Sequence, residues 1–366
     1  MTYEMRAVFW GVLLACVEWV RGQETQTFDG DVRDFAIGDS SVYVVTDDRL
    51  YQLNHDFTKV IKRDNLNLVD PNQEVPPDET YPFKVNILLP FIKNKTLIIC
   101  GTAKYGFCEI LDLNEISKSV HSEDIEVGSL DPGDSTIAFI VDVGKNSYIM
   151  AGRLQSRNSH IYLFSNVPKE PQVRLIWFKS ENNKATTLKS LEGRTLKCCG
   201  NMEHRRLLSS SVFPGSGGPH GQVLWVGVFT AGNTSDPINT MLAIYDISPS
   251  AGRQLEYKDP DFCYECCGES SPKRNTKDLQ PVAEVFKYSS MTSVLAVRHN
   301  SWLVFFIGTG DGQLIKLAVD KAYKPACPRV LYKSDDDRSV FPKMHLDPVD
   351  RKHVYMALRN QMFVSG

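Results

Sequence analysis

Phe305 to Asp320 reads FFIGTGDGQLIKLAVD, and the fold turns on how its glycines are read. Gly308, Gly310 and Gly312 form G-x-G-x-G, close to the fingerprint of a dinucleotide-binding loop. Such a loop must follow a strand and open a helix, whose N-terminus holds the pyrophosphate. Here Gln313 to Val319 alternates as a strand does and offers no helix cap. Asp311 would also place a carboxylate where phosphate must sit. The phrase therefore reads as strand, glycine-rich hairpin, strand, with Gly310 and Gly312 supplying positive φ at the turn.

The same phrase recurs along the chain. An apolar strand, a tight polar turn, a second apolar strand, a polar stretch and a third strand run from Val32 to Leu53. Further copies run from Phe83 to Leu113, Thr136 to Phe164, Arg206 to Ile247, Ser293 to Val319 and Lys343 to Val364. The second strands begin near residues 42, 97, 148, 223, 303 and 354, at intervals of 55, 51, 75, 80 and 51. Multi-strand repeats of ~40–50 residues are the mark of a β-propeller. One such sheet cannot bury both faces alone, but a ring of them can. Val42 and Val44 fit this, with β-branched or aromatic residues on both faces. The alternative all-β reading is a pair of β-sandwiches, which has no reason to repeat a three-strand phrase six times. The segment Thr25 to Phe35 is expected to close the ring beside the last repeat, because an open ring would leave two exposed sheet edges.

Residues 1–22 read as a secretory signal: Arg6 precedes an apolar run from Ala7 to Val20, broken only by Glu18, and Gly22 offers a cleavage point. No later segment has the ~18 uninterrupted apolar residues of a spanning helix. Residues 23–366 are then an extracellular all-β domain. Net charge is −3 and the basic residues are scattered, so a nucleic-acid partner is not expected. Eight cysteines remain after the signal: Cys100, Cys108, Cys198, Cys199, Cys263, Cys266, Cys267 and Cys327. An even number in an exported chain points to disulfides, and Cys100 with Cys108 flanks a short connection that a local bridge would pin. The other pairings stay open. Asn94-Lys95-Thr96 and Asn233-Thr234-Ser235 are glycosylation sequons.

Catalytic and metal motifs are weak. There is no H-E-x-x-H helix and no G-x-S-x-G elbow. Four thiolates drawn from Cys198, Cys199, Cys263, Cys266 and Cys267 could hold zinc, but vicinal spacing and an oxidising compartment favour disulfides. Ser334 to Asp337 lacks the spaced oxygens of a calcium loop and reads as a solvated charge run. No catalytic residue, cofactor or metal is expected. A secreted propeller enzyme is the reading from another class, and it would need carboxylates converging in the central channel.

Cys100-Gly-Thr-Ala-Lys-Tyr-Gly-Phe-Cys108-Glu109 resembles the C-G…G-x-C signature of sema domains. Phe306 to Leu317, followed by Cys327-Pro-Arg-Val-Leu-Tyr332, resembles the late-blade phrase of plexins and semaphorins. With Ser211-Val212 and Val226-Gly-Val-Phe-Thr230, the likeness is nearest to the sema domain of C-type plexins. It implies a seven-bladed propeller, six blades being visible as phrases, and a non-catalytic surface that binds a semaphorin-family ligand, with receptor subunits as further partners. A secreted semaphorin-like ligand or decoy is the alternative. The chain departs from the family in three ways. It shows no cysteine-rich module, membrane span or GTPase-activating region after the propeller, so a fragment, truncated form or decoy is expected. The stretch 152–207 looks short, as if part of a blade were missing. An early cysteine pair is absent between Val42 and Asn67. Arg153 to Asn158 and Ser270 to Lys277 are the loops expected to offer contacts.

Overall fold

The computed structural model describes residues 23–47, 49–64, 85–101, 107–124, 135–154, 174–177, 182–189, 192–199, 206–213, 222–230, 239–248, 279–335 and 338–365. Within them the chain is almost entirely strand. β1 (Gln23–Thr27) is set apart and joins the last sheet. The first sheet holds β2 (Asp34–Ile37), β3 (Val42–Val45), β4 (Leu50–Leu53) and β5 (Val60–Arg63). The second holds β6 (Val85–Phe91), β7 (Thr96–Gly101), β8 (Phe107–Asp112) and β9 (Ser119–Asp124). β10 (Ser135–Val143) pairs with β11 (Asn146–Leu154) as the third. β12 (Arg174–Trp177) pairs with β13 (Glu192–Thr195) as the fourth, with a short helix α1 (Lys184–Lys189) between them.

The fifth sheet is β14 (Leu207–Phe213), β15 (Leu224–Thr230), β16 (Asn239–Asp246) and β17 (Ala283–Ser289). The sixth is β18 (Met291–His299), β19 (Trp302–Thr309), β20 (Gln313–Val319) and β21 (Pro325–Lys333). The last is β22 (Val340–Leu346), β23 (Val354–Leu358) and β24 (Gln361–Ser365), completed by β1. Seven sheets thus stand among the described residues, one more than the six phrases legible in the sequence. The additional one, β12–β13, lies in the stretch that reads as short.

Strands pair antiparallel in every sheet, and side-chain contacts, mostly apolar, run from each sheet to the next. Tyr43, Val45 and Leu50 of the first sheet pack with Leu88, Leu97 and Ile99 of the second. Ile87, Ile98, Cys100 and Cys108 carry the contact on to Ala138 of the third. Lys184 of α1 lies over the Tyr148 ring of the third sheet, 5.8 Å from its centroid. Leu196 and Cys198, just past β13, pack on Trp225, Phe229 and Tyr245 of the fifth. Val226, Phe305 and Ile307 join the fifth sheet to the sixth, and Phe306, Met356 and Phe363 join the sixth to the last. Finally Phe35, Val42 and Val44 of the first sheet pack with Tyr355, Ala357 and Met362 of the last. The circle of contacts returns to its start.

Closure also has a backbone component. β1 pairs with β24 over five residues, Gln23 with Ser365 through Thr27 with Gln361. The closing strand is therefore shorter than the expected Thr25 to Phe35, because Phe35 already belongs to β2. Inner strands are tied by hydroxyls. Val294 N–H donates to Ser209 Oγ (3.1 Å) and Ala296 N–H to Ser211 Oγ (3.0 Å), while Thr292 Oγ1 donates to Val340 O (2.8 Å). These N–H groups point away from β19, and an unpaired buried donor costs about 1–3 kcal/mol. The run Ser209-Ser-Ser211 in an otherwise apolar strand thereby finds its use.

The glycine phrase is β19, a tight turn and β20, as its sequence requires. Only part of the expected reason holds. Gly312 has φ of 76°, but Gly310 is not among the positive-φ glycines. Gly310 is needed for close approach: its N–H donates to Ser290 O at 2.7 Å, and a Cβ would stand 2.8 Å from Ser290 Oγ. At Gly308 a Cβ would overlap Ser293 Oγ and the Val340 side chain of the last sheet.

Two outcomes test this account. Gly308→Ala is expected to lower unfolding stability by about 1–3 kcal/mol through overpacking, read by denaturant titration. Deleting residues 23–27 is expected to lower the thermal midpoint and to cause association in light scattering, because β24 becomes a bare edge. An unchanged midpoint with a monomeric profile would remove β1 from the closure.

Candidate functional site

In the first, second and sixth sheets the turns after the first and third strands, and in the last sheet the turn from β22 to β23, lie at one end of the ring, called here the lower face. The turns after the second strands of the first, sixth and last sheets, with the segment Phe28 to Arg33, lie at the other end, the upper face. On the lower face the seam between the first and last sheets carries a polar cluster. His55 sits in the turn Asn54 to Lys59, where Phe57 adopts φ of 57° and packs on Tyr355, 6.0 Å between ring centroids. His55 Nδ1 lies 2.6 Å from Asp347 Oδ2. The Tyr355 hydroxyl, on a side chain only 1% exposed, stands 3.1 Å from both Asp347 Oδ2 and the His55 carbonyl oxygen. Asp347 also accepts from the Val349 N–H at 2.7 Å. Burial works to raise the Asp347 pKa, but the donors from His55 and Val349 outweigh it, and the carboxyl is held below its usual range. Burial, then the Asp347 charge, pushes the Tyr355 phenol upward.

Asp347, Asp350 and His353 bring one ligand atom each to within 4.8 Å of one another, the spacing a cation would need. Their oxygens are already committed: Asp350 accepts from the Lys352 N–H at 2.7 Å and pairs with His353. The group caps the turn between β22 and β23. Toward the ring centre, Lys343 Nζ pairs with Asp34 at 2.8 Å and lies over the Phe35 ring, and His345 meets the same ring edge-on at 5.3 Å. Burial and then the Lys343 charge push the His345 imidazole down to about 3, so it is held neutral. Between the first and second sheets, Arg63 grips Glu109 with two 3.0 Å contacts, and Glu109 is buried.

The upper face over the same seam is a rim of ion pairs. Arg33 pairs with Asp47, Arg49 with Asp29 and Asp64, and Lys62 with Asp29 and Asp64. Arg359 Nε meets Asp31 at 3.0 Å, and Arg338 Nη1 donates to Asn360 Oδ1 at 2.8 Å. Gly30, Asp31, Arg338, Arg359 and Asn360 line a shallow depression of about 400 Å³.

Among the residues singled out from sequence, Cys100 and Cys108 face each other across β7 and β8 and are joined by a disulfide, with Cα atoms 4.1 Å apart. Asn94 ends an exposed 3-10 turn, Ile92–Asn94, on the lower face, and Lys95 follows in the left-handed region at φ 54°. Cys198 is buried, and its sulfur touches that of Cys199. Cys327 lies on β21. Cys263, Cys266, Cys267 and Asn233 lie outside the described residues, as do positions 155–158 and 270–277 of the two expected contact loops. The zinc set is thus not assembled by the described residues. In the acidic run, Ser334 is buried and its N–H donates to Gly312 O at 2.9 Å. The seam group was not foreseen. The turn phrase Asp347-Pro-Val-Asp is visible in sequence, but nothing local joins it to His55.

Similarity to known proteins follows this geometry. No protein-family model matches the chain. It is 23% identical to Plexin-C1 of Homo sapiens over an alignment of 389 positions, covering 84% of this chain and 24% of that protein. The chain therefore spans about a quarter of the curated relative's length. The fold resembles the full extracellular region of Plexin A4, with a TM-score of 0.62 at 15% identity, over 93% of this chain and 47% of that one. It also resembles Drosophila Plexin A in the structure of its complex with Semaphorin 1b, with a TM-score of 0.51 at 11% identity, over 94% and 87% of the two chains. The resemblance to the sema domain of plexins, C-type among them, stands, and the fold is the sema-type β-propeller. Among the described residues no helix is long and apolar enough to cross a membrane.

The His345 environment gives a signed pH dependence. Its folded pKa lies below the ordinary 6.5, so the stability it contributes is present above 6.5 and is lost as pH falls from 6.5 toward 3. His345→Phe is expected to flatten the stability slope over that window in urea titrations. An identical slope in the variant would contradict the assignment.

Proposed function

We propose that the ring is the extracellular, non-catalytic recognition domain of a plexin-like cell-surface receptor, and that its ligand is a semaphorin-type propeller. The observation that carries this reading is the similarity to human Plexin-C1 along 84% of the chain. The likeness in fold to a plexin whose structure is a complex with a semaphorin supports it. The chemistry of the described residues is consistent with a binding role. The close carboxylates, Asp347 and Asp350, are spent on turn amides and on seam partners rather than facing each other across a cleft. A rigid ring whose turns are capped internally presents its loops in fixed positions, which suits protein recognition.

The same reading gives Asn94 a role. Its sequon occupies an exposed turn of a domain that enters the secretory path, and the adjoining Ile92 is 43% exposed. An N-linked glycan there would cover that apolar side chain and keep the lower face of the second sheet free of partners.

Immobilised residues 23–366, expressed in a secretory host, are expected to bind at least one member of a panel of semaphorin ectodomains saturably. Absence of binding to every member, with a plexin ectodomain binding in the same assay, overturns the reading. Peptide N-glycosidase is expected to reduce the mass of the secreted chain, and Asn94→Gln to abolish the part of that shift due to this site. An unchanged shift in the variant would leave the turn unmodified.

A further inference from the structure

Two Asp–Gly pairs occur in the chain, Asp29-Gly30 and Asp311-Gly312, and the fold treats them differently. Asp–Gly is open to isomerisation because glycine carries no side chain to crowd its own nitrogen. In that reaction the glycine nitrogen attacks the aspartate Cγ, and the amide proton and carboxyl hydroxyl leave as water. The succinimide so formed takes up water at either carbonyl. Opening at Cγ restores aspartate, and opening at the main-chain carbonyl leaves a β-linked isoaspartate of the same mass. The reaction needs a carboxyl that can take a proton and a nitrogen that is not held elsewhere. At Asp311 the fold withholds both. The Gly312 N–H donates to Thr309 O at 3.2 Å in the turn between β19 and β20. The Asp311 carboxylate accepts from Thr309 Oγ1 and Gln313 Nε2. Burial works to raise its pKa, but those donors outweigh it and hold the carboxyl below its usual range.

At Asp29 neither protection is present among the described residues. The Gly30 N–H has no hydrogen-bond partner there. The Asp29 side chain is 72% exposed, and its carboxylate meets Arg49 and Lys62 only at 3.5 Å, as loose surface pairs. Gly30 holds φ 104°, where any L side chain is strained. The turn that closes the ring thus requires the glycine that leaves Asp29 open to attack. Its position gives the reaction a consequence. The Phe28 N–H donates to Asn360 O at 2.9 Å and the Val32 N–H to Arg359 O at 2.5 Å, so the pair lies in a span set at both ends. Phe28 and Val32 are buried in the cluster shared by the first and last sheets. A β-link inserts one more carbon into that short main-chain span.

We propose that Asp29 is a site of spontaneous isomerisation, and that isoaspartate there loosens the closing segment from the turn between β23 and β24. The modification is separate from the identity of the ligand and needs no semaphorin to be tested. Residues 23–366 are held at body temperature and neutral pH for several weeks and digested with trypsin, and electron-transfer fragmentation distinguishes the two linkages. Isoaspartate at Asp29, in the peptide ending at Arg33, is expected to form at least about fivefold faster than at Asp311, in the peptide His299 to Lys316. In urea the two rates should come within about twofold of each other, because the unfolded chain protects neither site. The isomerised fraction should melt about 2–4 °C lower, with faster hydrogen exchange at the Phe28 and Val32 amides. Protein isoaspartyl methyltransferase with S-adenosylmethionine, which returns the linkage to aspartate, should restore both. Asp29→Glu, whose cyclisation would need a larger and slower-forming imide ring, should show neither change over the same incubation. Equal rates at the two sites in the folded protein, or a rate ratio that urea leaves unchanged, would overturn the proposal. So would an isomerised fraction with unaltered melting and exchange, or an equal fall in the midpoint of Asp29→Glu.

Discussion

In β3, Val42 and Val44 pack against the last sheet while Tyr43 and Val45 pack against the second. That alternation is the constraint behind the whole architecture, because neither face of the sheet can be left to water. Burial of a side chain such as Val or Leu contributes about 1.5–3 kcal/mol. Exposing Phe35, Val42, Val44 and Leu53 together would therefore consume most of the ~5–15 kcal/mol net stability of a typical domain. Only a ring covers both faces of every sheet, and a ring of meanders needs one junction where chain ends meet. The pairing of β1 with β24 is that junction. It gives the last sheet its fourth strand and places Phe28 and Val32 in the cluster shared with the first sheet.

Closure explains where the polar groups fall. A seam made by distant parts of the chain cannot rely on a covalent connection to hold register, so directional contacts concentrate there. His55 meets Asp347 and Tyr355, Lys343 meets Asp34, and Arg359 meets Asp31, each pair spanning roughly the length of the chain. Individually the exposed pairs contribute little. The buried Tyr355 hydroxyl is different: with it in place the Asp347 charge is satisfied, and without it a carboxylate that is nearly inaccessible loses a donor. Between the first and second sheets the buried Arg63–Glu109 fork and the Tyr43 hydroxyl bond to Leu113 O play the same part.

Local alternation made most of the strands legible, because two-sided burial writes itself as runs of Val, Ile and aromatic residues. The phrase Phe305 to Asp320 shows both the reach and the limit of such reading. Its strand–turn–strand form followed from the residues alone. The role of Gly310 did not, since it depends on Ser290, which reaches the turn only through the pairing of β18 with β19. The β12–β13 sheet escaped notice for a related reason: Glu192-Gly-Arg-Thr195 carries no apolar alternation, and its partner is only four residues long. The seam cluster was beyond reach, for its members lie some three hundred positions apart and each is unremarkable in its own turn. The serines of β14 read as polar intrusions until the inner strand of the next sheet supplies the N–H groups they accept.

The two faces of the seam then divide along physical lines. On the lower face Asp347 and Asp350 cap their own turn, and Phe57 in a left-handed conformation packs on Tyr355. The positive φ there is compensated by burial of an aromatic ring. On the upper face Arg359 accepts the same kind of backbone strain and buries almost nothing. The Arg359 turn accepts backbone bonds from Phe28 and Val32 of the closing segment, while the Phe57 turn is held by its own Asn54 bonds and by Tyr355. The difference lies in what the strain accompanies, which in one case is core packing and in the other is the Arg359–Asp31 pair that joins the last turn to the closing segment.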